Sequence, residues 1–168
     1  SVFNGSFSLE AALAVAGAGE AESLSELVRK SLVVKDGNNK ALYRLLETSR
    51  HFARDQLLSH KEVAEARRRH AAYFTPLFKA SLDAWEDLTD RQWLDVYRSE
   101  TDNLRAALDW LQEQALWQEY ADLCAASYRL WLETGLYREG MSHCERALHA
   151  LENVQDRDLD ARLRLGFA

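Results

Sequence analysis

Along the first sixty positions the spacing of apolar residues changes period twice. Phe7, Leu9, Leu13 and Val15 recur at helical spacing, with Ser8 placed as N-cap and Glu10 in the first turn. Gly17-Ala18-Gly19 closes that run. Leu24, Leu27, Val28 and Leu32 follow at i, i+3, i+4 and i+8, which predicts a second helix over about Glu22–Ser31 with these four on one face. The pattern then becomes strand-like. Val33 and Val34 run into Asp36-Gly37-Asn38-Asn39, and Ala41 to Leu46 return, a hairpin signal with the φ > 0 residues in the turn. No other stretch carries a strand signal. Thr48 or Glu47 is placed to cap a helix through Leu58, to which Phe52, Leu57 and Leu58 lend apolar contacts.

A two-stranded hairpin is marginal in water, so it must lie against the helices on either side. Helix, hairpin and helix in that order are the body of a winged-helix module, assigned to residues 1–60. Such a core ordinarily has three helices before its hairpin. Only two are legible here, so the module is expected to be truncated, its first helix missing.

From Lys61 the pattern is helical throughout, and residues 61–168 are assigned to a second, helical domain. Val63, Ala66, His70, Phe74, Leu77 and Ser81 form one stripe, interrupted by Pro76, which is expected to kink or restart the helix. Trp85 to Asp90 reads as a polar break. Further helices are predicted over Arg91–Arg98, Asp102–Gln114, Trp117–Thr134 and Tyr137–Leu151. The fold class is therefore mainly α: a truncated winged helix with one β-hairpin, then an antiparallel helical array.

Charge alters the picture of the N-terminal module. Residues 1–60 carry seven acidic and seven basic side chains, so the net −6 of the chain falls on residues 61–168. Neither part has the basic footprint of a nucleic-acid surface. The helix in the recognition position turns Glu22 and Glu26 outward beside Arg29 and Lys30. DNA contact by this segment is not expected, since its acidic N-terminal end would meet phosphates. Arg67-Arg68-Arg69 is read as a solvated helix face pairing with nearby carboxylates. His70, on the apolar stripe, is read as a packed histidine.

Catalytic chemistry finds no foothold. The five histidines are scattered, and His143 and Cys144 are adjacent on one helix, where neighbours do not face each other. No metal-ligand spacing, paired nucleophile and base, or Gly-rich phosphate loop occurs, so neither enzyme activity nor a metal or other cofactor is expected. Two cysteines twenty residues apart fit a reduced, cytoplasmic setting. No apolar run approaches the ~20 residues a membrane span requires. The five tryptophans are read as core and helix–helix wedges.

Gly135-x-Tyr137-x-Glu139-Gly140, followed by Ala147-Leu148, is similar to a tetratricopeptide repeat, with Gly140 where alanine is usual. Small residues at 140 and 147 would let two antiparallel helices approach while Tyr137 fills the gap near the turn. One repeat spans about Ala121–Asn153, and Leu159–Ala168 looks like the start of another.

Three further sets of strings occur in order. They are Ser1-Val2-Phe3 with Phe7-Ser8-Leu9-Glu10-Ala11-Ala12; Leu32-Val33-Val34 with Tyr43-Arg44-Leu45-Leu46-Glu47-Thr48; and Arg67-Arg68-Arg69-His70-Ala71-Ala72-Tyr73-Phe74 with Asp102-Asn103-Leu104-Arg105-Ala106-Ala107-Leu108. Together they resemble the middle of bacterial STAND-type ATPase transcriptional regulators related to the LuxR and AfsR groups. That resemblance implies an NTPase module outside this chain as partner, a winged helix packed on it, and a tetratricopeptide-like arm holding a protein or small-molecule effector. The chain itself lacks GxxxxGK[ST]. Related STAND proteins carry a nucleotide-sensing His-Asp pair where the second strand meets its helix. That position falls on Leu46-Glu47, where leucine cannot donate to phosphate. Leu46, Glu47 and Arg50 are then expected to be structural contacts to the NTPase module, while Asp122, Arg129 and Glu133 would face the repeat groove. The function implied is a non-catalytic signal-transducing segment; the competing reading is a DNA-binding winged helix with a helical dimerisation or effector domain.

Overall fold

The computed structural model describes residues 1–17, 21–36 and 42–151, and Leu163. It is mainly helical, with one small antiparallel sheet. β1 (Phe7–Ser8) leads into α1 (Leu9–Ala16), followed by α2 (Ala21–Arg29), β2 (Val33–Asp36), β3 (Leu42–Leu45) and α3 (Glu47–Ser59). The long α4 (Val63–Asp87) begins the helical half, which continues through α5 (Asp90–Tyr97), a 3-10 turn, α6 (Thr101–Glu113), α7 (Trp117–Glu133) and α8 (Tyr137–Ala150).

The Ser8 cap forms as its sequence requires: its hydroxyl accepts the Ala11 N–H at 3.0 Å. The helix closes at Gly17, whose φ of 115° suits only glycine without strain. The hairpin pairs Val33 with Leu45 and Lys35 with Tyr43; its expected turn at Gly37-Asn38-Asn39 lies outside the described residues. The sheet has a third strand that the apolar pattern did not reveal. Phe7 pairs with Tyr43, so β3 is central in the order β1-β3-β2. Two residues are too short to show strand alternation, yet they cover an edge of β3 that would otherwise be bare.

Several expectations are corrected. Leu24 is buried, but Leu27 and Leu32 from the same stripe are 37% and 41% exposed. Neither Glu47 nor Thr48 caps α3; the N-cap is Leu46, with no side-chain hydrogen bond, and Glu47 occupies the first turn. No residue of α3 is buried, and Phe52 and Leu58 are 66% and 57% exposed. Pro76 does not restart α4, which runs on to Asp87 and takes in Trp85. The break is confined to Leu88 and Thr89, where Thr89 and Gln92 form a reciprocal capping box. Tyr137 is 48% exposed; Leu136, one residue earlier, packs on the core instead.

Four helix ends share one closure. Ser31, Lys61, Ala115 and Gly135 adopt φ values of 57°, 59°, 54° and 74°. In each case the residue's own N–H and the next one's reach back into the last turn: Ala115 N donates to Gln112 O and Leu116 N to Leu111 O; Gly135 N donates to Leu132 O and Leu136 N to Trp131 O. These are Schellman closures, which satisfy carbonyls the helix leaves orphaned. Leu27 with Leu32 and Leu111 with Leu116 occupy the two positions whose apolar contact accompanies such a closure.

The core has two parts. Phe3, Phe7, Ala11, Val15, Leu24 and Val33 centre the N-terminal one, and a larger one runs through Phe74, Phe78, Trp93, Leu104, Leu108, Tyr120, Leu130 and Trp131. Helix α4 serves both, since Ala66 and Tyr73 pack on the first while Phe74 and Phe78 lie in the second. At their meeting point the His70 ring lies 5.3 Å from Phe3 and 4.6 Å from Phe74. Leu163 is buried in the larger core, but the rest of the expected further repeat, Leu159–Ala168, lies outside the described residues.

Candidate functional site

The end of β3 delivers Leu46 in an extended conformation and α3 starts at the next residue, so the junction is a sharp strand-to-helix corner. Leu46 is 42% exposed. Glu47, in the first turn where the helix dipole favours a negative charge, is held by Arg50 at 3.3 Å and His51 at 3.0 Å. Arg50 is the least exposed of the three; its carbonyl accepts the Ser1 amine at 3.2 Å, and its Nε is buried without a partner. The corner therefore presents one apolar and one acidic side chain outward, backed by an arginine.

The second set lies on one face of α7. Arg129 and Glu133 pair at 3.6 Å, and the Arg129 guanidinium stacks 4.2 Å over the Trp85 ring of α4. Asp122, two turns earlier, faces Lys79 of α4 at 4.0 Å. All three side chains are about a quarter exposed. The structure thus brings Arg129 and Glu133 together and ties the whole set to α4. The junction set belongs to the N-terminal unit and is separate from it.

Polar side chains outside both sets hold the helices in register. Arg105 of α6 makes two hydrogen bonds of 2.7 Å to the Glu139 carboxylate at the start of α8. Such fork-to-carboxylate pairing is directional, and it draws the Glu139 carboxyl below its usual range. Arg67 reaches Glu113, while Arg68 and Arg69 share Glu65, whose pKa their hydrogen bonds lower to about 2. The basic triplet is accordingly paired with carboxylates. Asn103 is fully buried: its carbonyl accepts Asn4 N and Gly5 N, and its amide donates to Ser6 O and Glu100. Nothing in the sequence around Asn103 marks it as the clasp of the N-terminal segment.

The buried chemistry is quiet. Tyr120 and His143 are hydrogen-bonded at 2.8 Å, and Arg146 donates to the same phenol oxygen. Burial lowers the His143 pKa, and burial raises the Cys124 thiol, which lies against Cys144. A thiol held protonated in an apolar site is a poor nucleophile. Among the described residues no cluster of three or more His, Cys, Asp or Glu side chains could hold a metal ion. No described helix is long and apolar enough to cross a membrane.

One concavity among the described residues does not follow from the sequence reading. A cleft of about 1010 Å³ opens between α1, α2 and α3, with Leu13, Leu24, Leu27, Phe52 and Leu57 in its walls and Arg69 and Glu65 at its rim. The signal for it was the apolar stripe of α2, half of which the fold leaves uncovered.

Comparison with known proteins gives this arrangement a context. The chain is 36% identical over 147 residues to proteins of Mycobacterium bovis and of two strains of Mycobacterium tuberculosis, each provisionally named an HTH-type transcriptional regulator. The match takes in 83% of this chain and 16% of each relative, so the chain spans about a sixth of the length of the curated relatives it matches. No family model matches the chain, and no solved structure matches it.

Proposed function

We propose that this chain is the non-catalytic regulatory segment of a transcriptional regulator of the STAND type, in which the N-terminal unit couples an NTPase module elsewhere in the protein to a tetratricopeptide-like arm. A single observation carries the reading. The N-terminal unit is fastened to the helical array through shared helix α4 and the Asn103 clasp, a continuous packed path by which a change in that unit would reach the helices. The relatives' name supports the transcriptional setting, and the resemblance described above supplies the modules. Leu46 and Glu47 are the outward contacts to the NTPase module, with Arg50 behind them. Asp122, Arg129 and Glu133 line the arm near its effector. The segment works in the cytoplasm without a cofactor of its own.

The test uses the full-length protein. Leu46→Asp and Glu47→Lys, both at exposed positions, should each change nucleotide exchange several-fold and alter transcriptional output. Unchanged exchange in both variants removes the coupling role.

A second reading is favoured by the HTH designation of the relatives: α2 would enter DNA. Against it, Glu26 lies 2.9 Å from Lys30 and 3.5 Å from Arg29, and Glu22 stands in the first turn of α2, so carboxylates sit among the basic side chains that would have to meet phosphate. Phosphate contacts would make affinity fall steeply with salt. Salt-dependent binding of a DNA duplex by residues 1–168 would establish this reading, and absence of binding at low salt would dismiss it.

A further inference from the structure

We propose that Cys124 of α7 and Cys144 of α8 form a reversible disulfide site, closed by hydrogen peroxide, that fastens these two helices to each other. The sulfurs already meet. Both thiols lie in the larger core, 1% and 3% exposed, within hydrogen-bonding reach of each other. Contacts between the helices bracket the pair. On one side Trp131 packs so closely on Gly140 that a Cβ there would stand 2.6 Å from the indole. On the other, the Tyr120 hydroxyl bonds His143 at 2.8 Å and Arg146 at 3.3 Å. Tyr120, Cys124 and Trp131 run along α7 while Gly140, Cys144 and Arg146 run back along α8, so the pair sits at one level of an antiparallel hairpin. Closing the contact to the ~2 Å of an S–S bond then asks for side-chain rotation across an interface pinned at both ends.

The oxidant has a polar line of approach. Arg146 is exposed, it donates to the Tyr120 hydroxyl, and that phenol stands beside Cys124. Burial keeps the Cys124 thiol protonated, so the first step is slow. In that step one sulfur, as thiolate, attacks the peroxide. An S–O bond forms, the O–O bond breaks, and the departing hydroxide takes up the proton the thiol released and leaves as water. The sulfur, now a sulfenic acid, has given two electrons to the peroxide. The second thiol attacks it: the S–S bond forms, the S–O bond breaks, and a second water leaves with that thiol's proton. Because the sulfurs are in contact this step is intramolecular, and oxidation stops at the disulfide short of sulfinic acid. A glutathione-class thiol reverses it by exchange. In a reducing compartment such a bond is transient, as a redox signal requires. The site rests on the packing of α7 against α8 and holds whether or not the segment couples to an NTPase.

The experiment treats the native full-length protein with hydrogen peroxide, blocks the remaining thiols by alkylation and digests with trypsin in the absence of reductant. The peptides Ala106–Arg129 and Glu139–Arg146, which each carry one of the pair, should appear joined and should separate on treatment with a dithiol. A sulfoxide at exposed Met141 changes the mass of the second peptide without touching the link. Backbone amides of α7 and α8 should exchange at least about fivefold more slowly in the oxidised protein, with helix content unchanged by circular dichroism. Recovery of both peptides with alkylated cysteines overturns the proposal. Sulfinic acid at either cysteine does so too, as does a link between two copies, seen as a dimer on a non-reducing gel. A link that forms only in urea is equally fatal, since it would belong to the unfolded chain. A joined protein whose α7 and α8 exchange as fast as before would show a bond that fastens nothing, and that outcome also sinks the idea.

Discussion

Gly140 of α8 lies so close to Trp131 of α7 that a Cβ added to it would stand 2.6 Å from the indole. The two helices meet there because one of them has no side chain. The motif that Gly140 interrupts usually carries alanine, so Gly140→Ala separates generic repeat geometry from what this indole demands. Alanine gains about 1 kcal/mol of helix propensity. Overpacking a fully buried indole costs about 1–3 kcal/mol, and it wins. The thermal midpoint should fall by a few degrees, and in a Trp131→Leu background the same Gly140→Ala change should lower it little further. A midpoint unchanged by Gly140→Ala would mean that the helices can part freely.

Ala115 ends α6 with a left-handed φ of 54°, doing with a methyl group what Gly135 does without one. That conformation costs an L-residue about 1–2 kcal/mol. Glycine removes the cost but adds about 0.4–1 kcal/mol of unfolded-chain entropy. The balance favours Ala115→Gly by about 0.5–1 kcal/mol, measurable by urea denaturation with an unchanged m-value. Lys61→Gly, at φ 59°, should behave alike. Loss of stability in both would show that the strain is relieved by contacts the dihedral does not reveal.

Asn103 holds Asn4, Gly5, Ser6 and Glu100 through one buried amide. Asn103→Ala takes the partner from two backbone N–H groups, those of Asn4 and Gly5. At about 1–3 kcal/mol for each group left unsatisfied, the loss should exceed that of most single substitutions. Backbone exchange at residues 4–8 should rise before exchange in α7 does. Uniform acceleration across the chain would instead make Asn103 an ordinary core residue.

What was legible in the sequence divides along physical lines. The helices of the second half announced themselves because each buries a wide apolar stripe, and Ser8 and the hairpin were read from residues whose chemistry fixes backbone shape. The three Schellman closures at Ser31, Lys61 and Ala115 were invisible because none uses glycine. β1 was invisible because two residues have no period. The cleft was hidden because Phe52 and Leu57 sit on a helix that is patterned for a partner and not for its own core. At the candidate sites, the Arg129–Glu133 pair follows from i, i+4 spacing alone. The stacking of Arg129 on Trp85 required knowing that α4 passes Pro76 unbroken and carries Trp85 to that place.

His70 makes stability depend on pH. Burial among Phe3 and Phe74, with Arg67 nearby, lowers its pKa from 6.5 to about 4, although a hydrogen-bonding contribution from Asn103 opposes the shift. Its Nε2 has no partner. The unfolded chain binds this proton at higher pH than the folded one. Stability is therefore complete above pH 6.5 and declines as pH falls toward 4. The whole window is worth about 3 kcal/mol at one proton. His143, also lowered by burial, contributes in the same direction, so the wild-type slope alone does not isolate His70. The difference does: His70→Phe should flatten the fall between pH 6.5 and 4 while His143→Phe leaves the His70 portion intact. Chemical denaturation at half-unit pH steps reads both. Parallel curves for wild type and His70→Phe would mean that the ring is hydrated when charged and that the two cores part there more easily than their packing implies.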